Sequence, residues 1–161
     1  MKLNRFDLTF SYGYLVTKEK DSGDVSYYPR ISDQRHTASM AVTWMPGNKW
    51  TIYLRAFYGS GYAYTPSYVA VDSATMISRW VEGAKNYGHY PAYERVDVRF
   101  AKSFLLFNNP AQVYLDITNL FNRRNIWSYD YTYDRKGNPI AQPLTLLGII
   151  PVIGLSYNCG S

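Results

Sequence analysis

The sequence predicts an all-β protein that forms an antiparallel, up-and-down segment of a transmembrane β-barrel, with about six long strands that do not close a barrel by themselves. Three observations lead to this prediction. Apolar and polar residues alternate with a period of two in several segments, and no segment sustains a helical period. These segments run for about 11 to 15 residues, whereas soluble strands usually have about 5 or 6. The connections between them alternate between long and short.

The composition excludes several other classes of protein. The 161 residues are 47% hydrophobic with a net charge of only +5, which excludes disorder, and the single Cys159 excludes a disulfide scaffold. The longest apolar stretch, residues 144–155, is interrupted by Gly148 and Pro151 and is shorter than the roughly 18 to 20 residues of a membrane helix. No run of Lys and Arg exceeds two residues, so nucleic acid is not an expected partner. No cofactor is expected.

Each predicted strand is placed by its alternation and by the turn residues around it. The strands cover about residues 4–17, 34–45, 49–62, 92–106, 111–133 and 149–159. The first is placed by Phe6, Leu8 and Phe10, which share one face because strand residues alternate between faces. The second and third are separated by Pro46-Gly47-Asn48, which is typical of a tight turn.

The last three strands follow the same logic. In the fourth, Val96 and Val98 alternate with charged residues. The turn Asn108-Asn109-Pro110 leads to the fifth, which is placed by the alternating apolar residues of 113–117 and is extended to about residue 133. The sixth is placed by the alternation of residues 149–159 near the C-terminus.

Long connections are predicted at about residues 18–32, 63–91 and 134–142, and short turns after the second and fourth strands. Long strands with one apolar and one polar face, short turns at one end and long loops at the other describe a transmembrane barrel. Its apolar face contacts lipid, and its polar face lines the lumen. Aromatic residues near the strand ends are predicted to form girdles at the membrane interfaces. They are Trp44, Trp50, Phe104, Phe107 and Tyr157.

Five stretches carry a more specific pattern. They are residues 33–37, 58–66, 90–104, 114–125 and 150–158. The most specific contains Asn119-Leu120-Phe121-Asn122 followed by Arg123-Arg124, and the second contains Ser60-Gly61 and Tyr64-Thr65-Pro66. In this order, the five stretches resemble the C-terminal part of the barrel of a TonB-dependent outer-membrane receptor, and they cover most of the chain from Asp33 onward.

The resemblance implies that residues 1–161 are a C-terminal part of a barrel of about 22 strands, with the plug domain absent. It implies an integral protein of the bacterial outer membrane that takes part in energised uptake of a scarce large nutrient of the siderophore, cobalamin or glycan class, and no enzyme activity. The long connections would face the outside. In the last strand, Gly154, Leu155 and Tyr157 would carry the signal for assembly, although Cys159 follows where the family usually ends in an aromatic residue.

The resemblance also implies partners. They are the remaining strands and plug of the same receptor, an inner-membrane energy-coupling protein reached through the missing N-terminal part, outer-membrane lipid and lipopolysaccharide, and the barrel assembly machinery.

A charged set of side chains on the polar face is the first candidate site. It consists of Arg95, Asp97, Arg99 and Asp116. These residues either pair with one another across adjacent strands or contact a ligand or the plug.

An aromatic set is the second candidate site. It consists of Trp127, Tyr129, Tyr131 and Tyr133. Because they lie two residues apart, they share one face of an unbroken strand and form either an external stacking platform for a ring-bearing ligand or the upper aromatic girdle.

Alternatives from other classes remain open at this point. One is a structural or adhesive β protein without transport, either another outer-membrane barrel or a soluble β-sandwich, which also alternates apolar and polar residues. Another is a membrane hydrolase that uses His89, for instance with Asp72, or His36, although no catalytic constellation stands out. No set of residues shows a full set of metal ligands, so no metal site is predicted.

Overall fold

The computed structural model describes residues 2–3 and 5–159, and the start predicted for the first strand, Asn4, lies outside these residues. The described residues form fifteen strands. Within these residues, no helix is long and apolar enough to cross a membrane. The strands are Lys2–Leu3 (β1), Phe6–Tyr14 (β2), Lys18–Glu19 (β3), Tyr28–Pro29 (β4), His36–Gly47 (β5), Trp50–Gly59 (β6), Ala63–Tyr64 (β7), Ser67–Val71 (β8), Ser78–Glu82 (β9), Gly88–His89 (β10), Tyr93–Leu106 (β11), Asn109–Thr118 (β12), Ile126–Tyr133 (β13), Pro139–Thr145 (β14) and Ile150–Tyr157 (β15).

One seven-stranded antiparallel sheet, the main sheet, dominates the fold. Its strand order is β1-β2-β5-β6-β11-β12-β15, so each long strand pairs with the next long strand along the chain. The remaining described strands form two-stranded ladders within the long connections: β3 with β4, β7 with β10, β8 with β9, and β13 with β14. The predicted all-β, antiparallel architecture without a closed barrel is therefore confirmed.

The fifth predicted strand, residues 111–133, is wrong as one continuous strand, because two separate strands, β12 and β13, occupy this range. Strand β12 ends at Thr118, and the chain reverses through Asn119 and Asn122, both of which have positive φ angles near 50°. The residues after this reversal form β13, which pairs with β14 instead of the main sheet. The predicted loop 134–142 consequently contains the start of β14.

The other predicted loops also contain local pairing. Residues 18–32 include the β3–β4 ladder, and residues 63–91 include the four strands β7 to β10. In contrast, the ends of β2, β5, β6, β11 and β15 lie within about three residues of the predicted ends, because period-two alternation directly reports extended backbone.

Two tight turns join the strands at one end of the main sheet. Their tips, Asn48-Lys49 and Phe107-Asn108, have positive φ angles at both residues, which suits two-residue hairpin loops. The second tip lies one residue earlier than the sequence suggests, since Asn109 already belongs to β12. The long connections all leave from the opposite end.

The main sheet has two chemically distinct faces. On the apolar face, side chains form rows that cross six strands. One row is Leu8, Val42, Leu54, Val98, Ile117 and Pro151, and the next is Phe6, Trp44, Ile52, Phe100, Leu115 and Ile153. On the polar face, a corresponding row is Asp7, Thr43, Tyr53, Arg99, Asp116 and Val152.

No second layer of strands covers the apolar face in the described part of the chain. Ile153 and Phe10 on this face are 78% and 66% exposed. The buried hydrophobic residues among those described are few and scattered: Tyr28, Ala63, Val98, Ala101 and Ala111. A soluble domain of this length normally builds one contiguous core, and this sheet does not.

Candidate functional site

The predicted charged residues meet as two ion pairs on the polar face. Arg99 and Asp116 lie directly opposite each other on β11 and β12, and the guanidinium donates two hydrogen bonds to the carboxylate. The same guanidinium lies 4.5 Å from the centre of the Tyr114 ring. This planar, bidentate arrangement fixes Arg99 against the sheet.

Arg95 and Asp97 form the second pair, with Nη2 and Oδ2 3.0 Å apart. Asp97 Oδ1 also accepts a hydrogen bond of 2.9 Å from the Asn119 amide, at the point where the chain leaves β12. Arg95 lies 5.1 Å above the Phe57 ring, and its buried Nε has no partner among the described residues. Arg99 and Asp116 thus pair across adjacent strands, as in the cross-strand pairing alternative, whereas Arg95 and Asp97 pair along β11.

The residues of the Asn-Leu-Phe-Asn motif shape the reversal after β12. The Asn119 side chain accepts a hydrogen bond from the Arg123 amide and donates to two carbonyls, Arg123 at 2.9 Å and Leu147 at 3.2 Å. Asn122 Oδ1 accepts from the Ile149 amide at 3.0 Å. The motif therefore closes a tight turn and ties it to the segment that precedes β15.

Asn125 completes this turn, because its side chain bonds to both backbone groups of Glu94, as a neighbouring strand would. Its side-chain amide accepts a hydrogen bond from the Glu94 N–H at 2.9 Å and donates to the Glu94 carbonyl at 2.8 Å. Asn125 is only 4% exposed, so these two bonds satisfy groups that water does not reach. The sequence showed the motif but not this role.

The aromatic set is only partly assembled as predicted. Tyr129 joins a cluster with Tyr64 and Tyr90, whose rings stack 4.2 Å apart, and Tyr131 contacts Trp80 edge-on at 4.9 Å. Burial, followed by the neighbouring Tyr131 and Tyr129, raises the pKa of Tyr64 to about 12. These rings pack against one another and form a structural cluster.

Trp127 and Tyr133 are placed differently from the rings of that cluster. The register of the β13–β14 ladder shifts between Ile126 and Ser128, which interrupts the alternation at Trp127 and leaves this side chain 59% exposed. Tyr133 uses its hydroxyl to accept a hydrogen bond of 3.2 Å from the Trp80 amide. A single flat platform of all four residues is therefore not formed.

The long connections are tied to one another. Lys85 donates hydrogen bonds to Asp21 at 2.6 Å and to the Tyr28 hydroxyl at 2.7 Å, and these bonds raise the pKa of Lys85. Asn86 donates to the Pro29 carbonyl at 2.9 Å. Trp80 Nε1 donates to the Thr132 carbonyl at 3.0 Å. Residues 18–32, 63–91 and 126–145 thus form one connected set of loops.

Asp33 anchors the base of these loops and was not singled out from the sequence. It is 1% exposed, and its carboxylate accepts a hydrogen bond of 2.8 Å from the Thr17 amide. Arg35 Nε and His89 Nε2 lie 3.4 and 3.6 Å from the other carboxylate oxygen. Burial alone would raise the pKa of Asp33, but the hydrogen bonds from Thr17, His89 and Arg35 outweigh it and lower this pKa below its ordinary value.

An open cavity of about 1070 Å³ lies where the polar face meets these loops. Its floor includes Ser11, Ser39 and Phe57, which are cross-strand neighbours on β2, β5 and β6. Its wall includes Tyr90 and Trp127 from the loops. Residues of the main sheet and of the loops line it together, so its shape depends on how the loops lie over the polar face.

The predicted assembly residues lie on the free edge strand β15. Gly154 faces Tyr114 on the polar face, and a methyl group at Gly154 would overlap the ring of Tyr114. Leu155 and Tyr157 point to the apolar face and are 61% and 40% exposed. The Tyr157 hydroxyl accepts a hydrogen bond of 2.9 Å from Asn109 Nδ2.

The histidines show no catalytic arrangement with Asp72. His89 approaches Asp33, and His36 Nδ1 lies 2.8 Å from the Tyr12 hydroxyl. Asp72 instead accepts hydrogen bonds from the Ala74 and Thr75 amides within a turn. Over residues 2–3 and 5–159, no three His, Cys, Asp or Glu side chains are grouped in a way that could hold a metal ion.

Comparisons of the chain with family models, with curated proteins and with solved structures found no match.

Proposed function

We propose that the chain is a C-terminal wall segment of a TonB-dependent receptor in the bacterial outer membrane, and that it contributes strands and external loops to energised uptake of a scarce large nutrient. The observation that carries this proposal is the apolar face of the main sheet. It extends in register across six strands, and no described layer covers it. Lipid is the environment in which such a face is stable.

The ends of the sheet support the same proposal. Exposed aromatic residues lie within or beside the two tight turns, and Lys102 Nζ lies 5.1 Å from the centre of the Trp50 ring. This arrangement suits a membrane interface, where aromatic rings and the stems of lysines meet headgroups. Trp44, Trp50, Phe107 and Tyr157 are 47%, 37%, 85% and 40% exposed. The long, interlinked loops at the other end would then face the outside.

The open edges of the sheet support the proposed partners. β15 offers eight residues of backbone to a further strand, and closure of even a small barrel takes about eight strands. We propose that the remaining strands of the receptor pair here and that its plug faces the polar side. Energy coupling from the inner membrane, contact with lipid and lipopolysaccharide, and recognition of β15 by the assembly machinery belong to the same proposal. It assigns no enzyme activity to the chain.

A soluble β-sandwich is the alternative that this proposal has to exclude. A sandwich places a second sheet against the apolar face, about 10 Å away. The experiment is to express the chain, purify it in aqueous buffer and in detergent, and compare its near-ultraviolet circular dichroism and its mass in solution. Folding only with detergent or lipid is the expected result, and a folded monomer in buffer alone would contradict the proposal. Fractionation of the cells that carry the natural protein should place it in the outer membrane.

A further inference from the structure

The cavity at the loop end of the polar face is lined by uncharged residues. None of the described residues that line it carries a charge at neutral pH. The charged residues of adjoining segments are engaged elsewhere: Arg95 pairs with Asp97 and covers Phe57 from 5.1 Å, and Asp33 is buried with its own partners. A charged solute entering the cavity would lose hydration and would meet no oppositely charged side chain in its lining. The site therefore favours an uncharged ligand.

The side chains that line the cavity combine two kinds of contact. Aromatic rings are supplied by Tyr90 and Trp127, and the ring of Tyr90 is held in place by its stacking on Tyr64 at 4.2 Å. Hydroxyl and amide groups come from serine, threonine and glutamine residues of β2, β5 and the segment before β5. Sugar rings present flat C–H faces that stack on aromatic rings, and their hydroxyls both donate and accept hydrogen bonds.

The size of the cavity further narrows the class of ligand that it can bind. At about 1070 Å³ it exceeds the range of roughly 300–1,000 Å³ that is usual for sites of small molecules, so it accommodates more than one sugar ring. We infer that the cavity binds an uncharged oligosaccharide, with Trp127 as its principal stacking residue. This inference rests on the proposed function, because an outer-membrane location is what exposes the cavity to external solutes. It selects the glycan class among the nutrients that the proposed function allows.

The test uses the full chain in micelles of an uncharged, sugar-free detergent. The neutral probes are maltohexaose, cellohexaose and xylohexaose, and the charged probes are hexagalacturonate and a chitosan hexamer. Titration calorimetry should detect binding of at least one neutral probe, with both charged probes at least tenfold weaker. Trp127→Ala should weaken binding of that neutral probe at least fivefold. Trp44→Ala, which removes an exposed tryptophan from the apolar face, should change it less than twofold.

Several results would overturn the inference. They are binding of a charged probe as tight as that of the neutral probes, absence of binding by every neutral probe, or unchanged binding in Trp127→Ala. Near-ultraviolet circular dichroism checks that each variant is folded. If Trp127→Ala fails this check, Thr37→Arg takes its place, since it puts a bulky cation into the cavity from β5 and should abolish neutral binding.

Failure of this inference is distinguishable from failure of the proposed function. The same preparation is mixed with phospholipid vesicles, and insertion is measured by flotation. Insertion without preference for neutral sugars overturns only the assignment of the ligand. A chain that does not insert and folds in buffer alone overturns the proposed function, whatever it binds.

Discussion

A pair of neighbouring substitutions on β15 tests the assignment of faces. Ile153 lies on the apolar face, in one row with Leu115, Phe100 and Ile52, and is 78% exposed. Its neighbour Val152 lies on the polar face opposite Asp116. The two variants Ile153→Arg and Val152→Arg place the same cation on the same strand, one residue apart, but on opposite sides of the sheet.

The expected cost of the two substitutions differs strongly. An arginine that faces lipid near the middle of a bilayer costs about 2–4 kcal/mol, which corresponds to a roughly 30- to 700-fold loss in the equilibrium between inserted and unfolded chain. An arginine on the polar side meets water and the carboxylate of Asp116 and costs little. Urea titration of the chain in phospholipid vesicles, followed by tryptophan fluorescence, measures both values. Equal destabilisation by the two variants, or a larger effect of Val152→Arg, would refute the assignment of faces.

Three further predictions concern the loops and the turn after β12. Asn125→Ala removes two buried hydrogen bonds and should lower the free energy of unfolding by about 2–4 kcal/mol in detergent, whereas Asn158→Ala at an exposed position should change it by less than about 0.5 kcal/mol. Gly61→Ala should destabilise the chain by about 1–3 kcal/mol, because a methyl group there would overlap the carbonyl oxygen of Tyr90. The pKa of Asp33 is lowered in the folded chain, so its ionised carboxylate stabilises the fold at pH values above its ordinary pKa of 3.8. This stabilisation is lost as the pH falls below 3.8. The stability of Asp33→Asn should therefore depend less on pH between pH 5 and about 2.

The same three variants also have outcomes that would contradict the structure. Hydrogen exchange at the Glu94 amide should accelerate in Asn125→Ala and stay unchanged in Asn158→Ala; equal protection in both would mean that Asn125 does not bond to Glu94. Tolerance of Gly61→Ala, measured by its unfolding midpoint, would mean that Tyr90 lies elsewhere. Identical acid dependence in wild type and Asp33→Asn would mean that the Asp33 carboxylate gains nothing from Thr17, His89 and Arg35 together.

The strands of the main sheet were predictable because their signal is local. Side chains on a strand alternate between two environments, and residues such as Val96 and Arg99 report this directly from the sequence. The same signal misled the prediction after Thr118, because Tyr129 and Tyr131 continue a period of two beyond the reversal. The strand ends here because Asn119 adopts a positive φ angle, which asparagine tolerates more readily than most residues, and the alternation of residues does not report this change.

The candidate site was less predictable because its parts come from distant segments. Ser11 and Trp127 line the same cavity although 116 positions separate them in the chain, as their residue numbers show. Their proximity depends on the strand order and on how the loops are tied together, and neither follows from local patterns. Asp33 is similar: its role depends on the Thr17 amide and on His89, both of which lie outside the stretch that contains it.

The central claim is that lipid covers the apolar face, and site-specific quenching tests it most directly. Single cysteines are introduced at Ser39, Met40, Ala41 and Val42 of β5 in a Cys159→Ser background, labelled with a small fluorophore, and reconstituted with lipids whose acyl chains carry a quencher. The claim predicts strong quenching at Met40 and Val42 and weak quenching at Ser39 and Ala41. Uniformly weak quenching, or the opposite alternation, would contradict it.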